Sequence, residues 1–464
     1  MNYSSYLIYY LNGKNEKLFF LILCYHCVLS KVIELPFIRY YDDNFLNEQG
    51  ILFSKFTNFI GVSFNVGKPA QHLIFNIEFF SDSFWVIDSE SSNLGDFQAS
   101  FRRDKSDTAV NTDPKICYSL TNLKHSSFIN MFKDDFKLDN NVMINDLNFF
   151  LAKNLTNVPI NSGIIGFDIN NAKFGLIPSG FNFLDQLRKK DLISHKIFTF
   201  EYISQNYGSI LIGDYPHLHQ SDKYLNNGKV YLSSKVVKND KGFDLWAINF
   251  DKVQYIQNKP LFNVNTQKVQ FIAELGVIIL PKMLEQYVIG TKRVQRLIQE
   301  EKCEYDYAKS HVNYKMLKCH GDYDYTHDFG SLVFSLGKYE IELNSTDLLS
   351  NHFQNTKVLQ IAFYYGNVTK KENEFLVGEP FFRKLPIVFD EEENRIGFYL
   401  SEPVEKRNSM FAFFKVIGII FFILFVIFCC TFIWKKIQLR KGSNLTNKSL
   451  DFNKFENFSI GNEN

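Results

Sequence analysis

Charge of one sign is missing from this sequence: 51 Lys and Arg stand against 50 Asp and Glu, a formal net charge of +1. With no global field, and no basic stripe interleaved with aromatics in mid-chain, nucleic acid is excluded as an expected partner. Glycine and proline are scarce for a chain of many turns, 24 and 11 of 464 residues. No GxGxxG or Walker sequence occurs, so no nucleotide-binding fingerprint is present. The ten histidines show no metal-ligand spacing. The one close pair, His217 and His219, sits in a polar turn, PHLHQ, with no third ligand apparent, so neither a metal nor a cofactor is expected. What the chain does have is apolar: 45% hydrophobic residues, 16% aromatic, 49 of them Phe. That is ample for a packed core and excludes global disorder. The length suggests two or three compact units.

Two apolar runs set the address. The first, Leu18 to Leu29, follows Lys14 and Lys17 and is twelve residues long. It is too short to span a bilayer comfortably and suits a secretory signal, with cleavage expected after Ser30. The second, Val416 to Trp434, holds no charge. As a helix it would reach roughly 28 Å, close to the hydrocarbon thickness. Lys435, Lys436, Arg440 and Lys441 follow and mark the cytoplasmic side. The expectation is a single-pass type I protein of the secretory pathway or cell surface, its bulk lumenal or extracellular. Of seven cysteines, only Cys117, Cys303 and Cys319 fall in the exported region. Cys303 and Cys319 flank a short polar loop and could close a disulfide in an oxidising compartment, which leaves Cys117 odd. Asn154, Asn344 and Asn367 head N-x-S/T sequons on the same side.

From Phe56 to about Ser401 short apolar runs alternate with turn residues: FIGVSFNV, HLIFNIEFF, SFWVI, GSILIGDY, KVQFIAEL, RIGFYL. Period-two alternation with β-branched and aromatic enrichment is strand grammar, and the fold expected is all-β. Helices are expected at Phe183–Leu192 and from Pro281 to about Glu300, where Pro opens a run with helical spacing. One theme occurs twice, two apolar strands and then a loop, near 60–86 and again near 246–280.

The ordered set of runs resembles the pepsin-like aspartic proteases. FIGVSFNVGKPAQHLIFNI is similar to that family's opening hairpin, and FWV at Phe84 to Val86 to the Leu-Trp-Val after its first catalytic loop. NSGIIGFD at Asn161 to Asp168 resembles the Asp-Gly-Ile-Leu-Gly-Leu segment. FLDQLRKKDLISHKIFTFEY with GSILIGDY, then LWAINFDKVQY, resemble the stretches that close the first lobe and open the second. Cys303 and Cys319 resemble the C-lobe disulfide. FLVGEPFFRKLPIVFDEEENRIGFYL resembles the closing stretch. The resemblance implies a bilobal pepsin-like acid protease fold, two β-barrel-like lobes with a central cleft, plus one C-terminal transmembrane helix. The expected organisation is signal peptide 1–30, short prosegment or N-terminal extension 31–55, N-terminal lobe 56–220, C-terminal lobe 221–402, linker 403–415, span 416–434 and cytoplasmic tail 435–464.

In that family each lobe supplies an Asp from an Asp-Thr/Ser-Gly loop; one carboxylate activates a water as general base and the other, protonated, donates to the scissile carbonyl. Counting nine residues from Pro69 and seven back from Trp85 reaches Glu78 both ways. Its loop reads Glu78-Phe79-Phe80, with the hydroxyl and the Gly replaced. The second loop aligns as Glu274-Leu275-Gly276, which keeps its Gly but not the hydroxyl. Near Asn122 to His125 the Tyr and glycines of the family's flap cannot be placed. A longer side chain moves each carboxylate by roughly 1 Å, a misplacement that can cost ~10²-fold. Asp88, in the run DSESSNL, is a rival placement, but it puts Glu90 where Gly is wanted and strands Trp85 on the wrong side. The leading expectation is therefore a membrane-held homologue without activity, a pseudoprotease whose interlobe cleft binds a protein or peptide ligand. The alternatives are an active membrane-bound aspartic endopeptidase with a non-standard acidic dyad, Glu78 with Glu274 or Asp88, and a structural surface protein.

Overall fold

The computed structural model describes residues 31–40, 59–79, 84–90, 100–113, 128–138, 142–153, 172–175, 183–237, 246–307, 314–352, 356–364, 375–402 and 418–438. The chain divides into two units, Met1–Glu402 and Pro403–Asn464. Calls that fall elsewhere lie outside the described residues: the signal, Cys117, Asn154, Asn367, the segment 122–125, NSGIIGFD, Phe80 and the tail.

The first unit is built from strands, and the opening hairpin shows why. In β2 (Phe59–Val66) Ile60, Val62, Phe64 and Val66 are buried, and in β3 (Gln71–Glu78) Leu73, Phe75 and Ile77 are. Alternation of this kind puts one face of each strand into the core. The turn between them needs Gly67, whose φ is +79°; a β-carbon there would stand 2.3 Å from Ser106 Oγ. Before the hairpin runs β1 (Ile33–Tyr40), and after it come β4 (Phe84–Ile87), β5 (Val110–Asp113), β6 (Phe128–Leu138), β7 (Met143–Lys153) and β8 (Ala172–Gly175). Then follow β9 (Ile197–Tyr202), β10 (Tyr207–Ile212) and β11 (Lys229–Lys235). The remaining strands are β12 (Ala247–Gln257), β13 (Lys259–Phe271), β14 (Ile278–Leu280), β15 (Cys303–Tyr307), β16 (Tyr314–His320), β17 (Ser331–Leu336) and β18 (Tyr339–Leu343), then β19 (Leu349–His352), β20 (Thr356–Tyr364), β21 (Phe375–Val377), β22 (Ile387–Asp390) and β23 (Arg395–Ser401).

Their pairing repeats. In the first half the order is β2-β3-β8-β4-β7-β6, in the second β12-β13-β21-β14-β20-β16. Each time an antiparallel hairpin is followed by a strand drawn from later in the chain. β8 runs parallel to β3 and antiparallel to β4, while β21 runs parallel to β13 and antiparallel to β14. The next pairs are parallel again, β4 with β7 and β14 with β20. A parallel neighbour cannot follow by a tight turn, so each inserted strand arrives on a long crossover. The turn 272–277 carries the chain from β13 past β21 to β14. The twofold theme near 60–86 and 246–280 is this duplicated unit.

The halves are joined by β11-β23-β22-β9-β10-β1, a run continuous with the first sheet. Strands β11, β22 and β23 lie beyond the expected lobe boundary at 220, yet they pair into the first half's sheet. Phenylalanine fills the centre: Phe64 packs its edge on Phe75 at 4.9 Å, and Phe75 stacks on Phe84 at 4.9 Å. Such pairs add to the stabilisation that burial alone gives.

Two helical expectations change. The first helix is Phe183–Lys189, ending before Leu192. The expected helix from Pro281 to Glu300 is broken into Lys282–Leu284, Glu285–Val288 and Lys292–Gln299. The break has a local cause. Thr291 takes extended backbone and caps the last piece by accepting from Val294 N–H at 3.3 Å. At Gly290 a β-carbon would meet Gln286 O at 2.6 Å. In the second unit the described apolar helix is Gly418–Gln438, which runs past the expected end at 434 to include Lys435 and Lys436. Both can lay their methylene stems on the helix with the ammonium toward water.

Candidate active site

β3 ends at Glu78, which pairs with Gly175, and the chain turns away at Phe79. Phe79 is 1% exposed. Its ring lies 5.3 Å from Phe389, 5.6 Å from Phe382, 6.0 Å from Phe200 and 6.1 Å from Phe198. The side chain at this position is therefore an anchor in the interlobe core, where a hydroxyl would have no business. Its backbone does something else: Phe79 N–H donates to Glu274 Oε1 at 2.6 Å. The structure thus brings Glu274 to the residue beside Glu78, 195 positions away.

Glu274, half-buried, sits in a turn closed by Leu275 N–H on Ile272 O at 3.1 Å. Two groups grip the turn's carbonyls. Glu379 N–H donates to Leu275 O at 2.7 Å, and Gln360 Nε2 donates to Gly276 O at 2.7 Å. Between β21 and Glu379 stands Gly378, where a β-carbon would be 1.9 Å from Leu275 O. Only glycine lets the two backbones come this close. Beneath lies a charged network. Arg39 of β1 pairs with Glu379, both side chains 1% exposed. Arg383 Nε is 3.4 Å from the same Glu379 oxygen, and its Nη2 donates to Gln360 Oε1 at 3.0 Å.

Asp88, the rival placement, lies past β4, where it is bridged to Phe101 and fully buried. Its Oδ1 accepts from Glu90 N–H at 3.0 Å, and Arg103 Nε is 3.8 Å from Oδ2. Arg103 also reaches Glu90 at 2.7 Å, so one guanidinium spans both acids of the turn. Cys303 and Cys319 face one another across β15 and β16 and are disulfide-bonded. Asn344 is exposed and caps the helix Ser345–Leu348, its Oδ1 accepting from Asp347 N–H at 3.0 Å and Thr346 Oγ1 at 2.6 Å. His217 Nδ1 lies 2.8 Å from Tyr399 Oη, with burial holding its pKa below the ordinary value. His219 Nε2 is 3.0 Å from Asp214 Oδ2. Among the described residues no group of three or more His, Cys, Asp or Glu could hold a metal ion.

Sequence reading missed Arg39, Gln360 and Arg383. The acid at 379 stood in the quoted closing stretch, FLVGEPFF, one residue after its Gly; nothing in the sequence pointed from it to an arginine 340 positions earlier.

Two β halves with a duplicated strand order, meeting where the Phe79 backbone bonds Glu274, define a bilobal protein of the acid-protease type. The family model for eukaryotic aspartyl protease matches residues 61–400, and the chain belongs to that family. No curated protein matches it.

Proposed function

We propose that this is a membrane-anchored member of the aspartyl protease family that binds an extended protein or peptide segment between its halves without hydrolysing it. The observation that carries this reading is the hydrogen bond from Phe79 N–H to Glu274 Oε1, 2.6 Å long. A working dyad needs both carboxylates turned toward one water and one substrate carbonyl. Here an oxygen of the second acid is already occupied by the opposite loop. The orienting hydroxyls are absent from both loops, Phe79 and Leu275 standing in their places. Anchoring is supported by the helix Gly418–Gln438, whose mean hydropathy is 2.4 and none of which is buried. The basic residues that follow favour a cytoplasmic C-terminus.

The test uses the full chain in detergent, a library of extended peptides, and the same peptides with a hydroxyl-bearing tetrahedral carbon in place of one peptide carbonyl. An active dyad binds the tetrahedral mimic ~10²-fold or more tighter than the plain peptide. A binding groove takes both alike, and no product forms at acid pH. Cleavage abolished by Glu78→Gln or Glu274→Gln overturns the proposal. A groove that takes no peptide at all leaves a structural surface role in its place.

A further inference from the structure

The first strand is bound into the site region more firmly than a removable leader would be. β1 pairs along both edges, with β10 from Ile33↔Ile212 to Ile38↔Tyr207 and with β2 from Phe37↔Val62 to Tyr40↔Phe59. It can leave only by opening two ladders. Ile33, Leu35 and Phe37 are buried, and Phe37 stacks on Phe200 at 4.6 Å. Lys31 closes its start, Nζ lying 2.8 Å from Asp191 Oδ2. At its end Arg39 is buried against Glu379. That acid grips the Glu274 turn through its own N–H on Leu275 O at 2.7 Å. Arg383, 3.4 Å from the same Glu379 oxygen and 22% exposed, is the longer and wetter contact. Removing the strand would strip a buried carboxylate of its nearest cation, and a buried charge deprived of its partner is strongly destabilising.

We infer that residues 33–40 are a permanent part of the mature protein, not a segment shed on maturation, and that Arg39 is a positioning residue for the Glu274 turn. This rests on the ladders and the ion pair and holds whether the groove binds, cleaves or does neither. The competent form of the protein is then the unshed one, and a cut within 41–58 would release nothing.

Three measurements on the full chain test it. The N-terminus of the protein purified from membranes is determined by sequencing and intact mass. It is expected at or before Ile33, and a single N-terminus beyond Tyr40 overturns the inference. Second, a site-specific protease sequence is inserted between Asp43 and Gly50 and cut under native conditions. The short N-terminal piece is expected to co-elute with the body; a free piece and a still-folded body overturn it. Third, Arg39→Met is compared with Arg39→Lys and with Arg39→Met/Glu379→Met. The single change lowers Tm by on the order of 5 °C or more, and the lysine and the double change each recover part of it. In Arg39→Met the Glu379 amide exchanges about tenfold faster while β15 and β16 amides keep their rates. Uniform acceleration makes Arg39 a general stabiliser and overturns its positioning role. If Arg39→Met does not fold, the native N-terminus still decides.

Discussion

The two crossed loops occupy equivalent places in a duplicated scaffold and have diverged differently. In the first half, Phe79 turns its ring into the shared core and leaves only its N–H at the junction. In the second half, Gly276 is kept, and the turn's carbonyls are held by Glu379 and Gln360. Phe79 is fixed by apolar packing, the turn at Glu274 by hydrogen bonds to buried charged and amide groups. Yet the strands on either side pair in the same order in both halves. The scaffold therefore depends on the repeated strand order and on the close approach at Gly378, and it accommodates different side chains, Phe79 and Leu275, at matched places in the two halves. Ladders and cores hold such a fold, so its function has to be argued from the groups at the site and not from the scaffold.

The comparison breaks if the second loop does not depend on its charged support. Glu379→Gln leaves Arg39 buried without its counter-ion and should cost about 3–5 kcal/mol, the usual result of removing one partner of a buried pair. Chemical denaturation of the full chain measures it, and a loss under 1 kcal/mol would show that the network is decorative. The packed loop is sharpened by putting a hydroxyl back. Phe79→Ser removes a ring that touches four others and should cost about 3–4 kcal/mol. Leu275→Ser, at the matching place in the hydrogen-bonded loop, should cost about 2 kcal/mol. Neither should generate hydrolysis at acid pH. Equal costs at the two sites would mean that the loops are held in the same way after all.

How far the sequence could be read follows from the same contrast. Period-two runs such as FIGVSFNV gave their strands to the residue, because a half-buried hairpin writes its faces into every second position. The disulfide partners were visible because Cys303 and Cys319 lie in adjacent strands. Glu78 was placed by counting from Pro69 and Trp85, landmarks in the hairpin and the strand on either side of it, and Glu274 by aligning the second half's run. What could not be read were contacts between distant strands. Arg39 looks like an ordinary residue after an apolar run, and only the packing of the end of β1 against Glu379, at the start of the helix Glu379–Lys384, gives it a role. The helix expected over Pro281 to Glu300 failed for the opposite reason: Gly290 and Thr291 are a local signal, a stop and a new cap, that the apolar spacing overrode.

The smallest effect separates the halves by their aromatic chemistry. Residues 59–175 contain one tyrosine, Tyr118, and a core of phenylalanine. The second half and the joining strands bury tyrosines instead, and burial raises the pKa of Tyr215, Tyr224, Tyr231 and Tyr399. Tyr255 in β12 is pushed up to about 12, first by burial; the Gly330 N–H that its Oη accepts at 2.7 Å works the other way. A tyrosine whose folded pKa lies above its unfolded value near 10 keeps its proton longer when folded. The folded state then binds more protons between pH 10 and 12, so this contribution is whole below pH 10 and is lost as pH climbs toward 12. For Tyr255 the loss is about 2–3 kcal/mol across that window. Tyr255→Phe should therefore cost about 1–2 kcal/mol at pH 8, where Gly330 N–H loses its acceptor, and decline less steeply above pH 10. The slope due to the other four tyrosines remains. Urea denaturation at pH 8, 10 and 11.5 measures both effects, with hydrogen exchange reporting which half opens first. The second half should open first in the native chain. An alkaline loss of protection that begins in β2 to β7, or identical slopes for native and variant chains, would remove Tyr255 as a source of the difference between the halves.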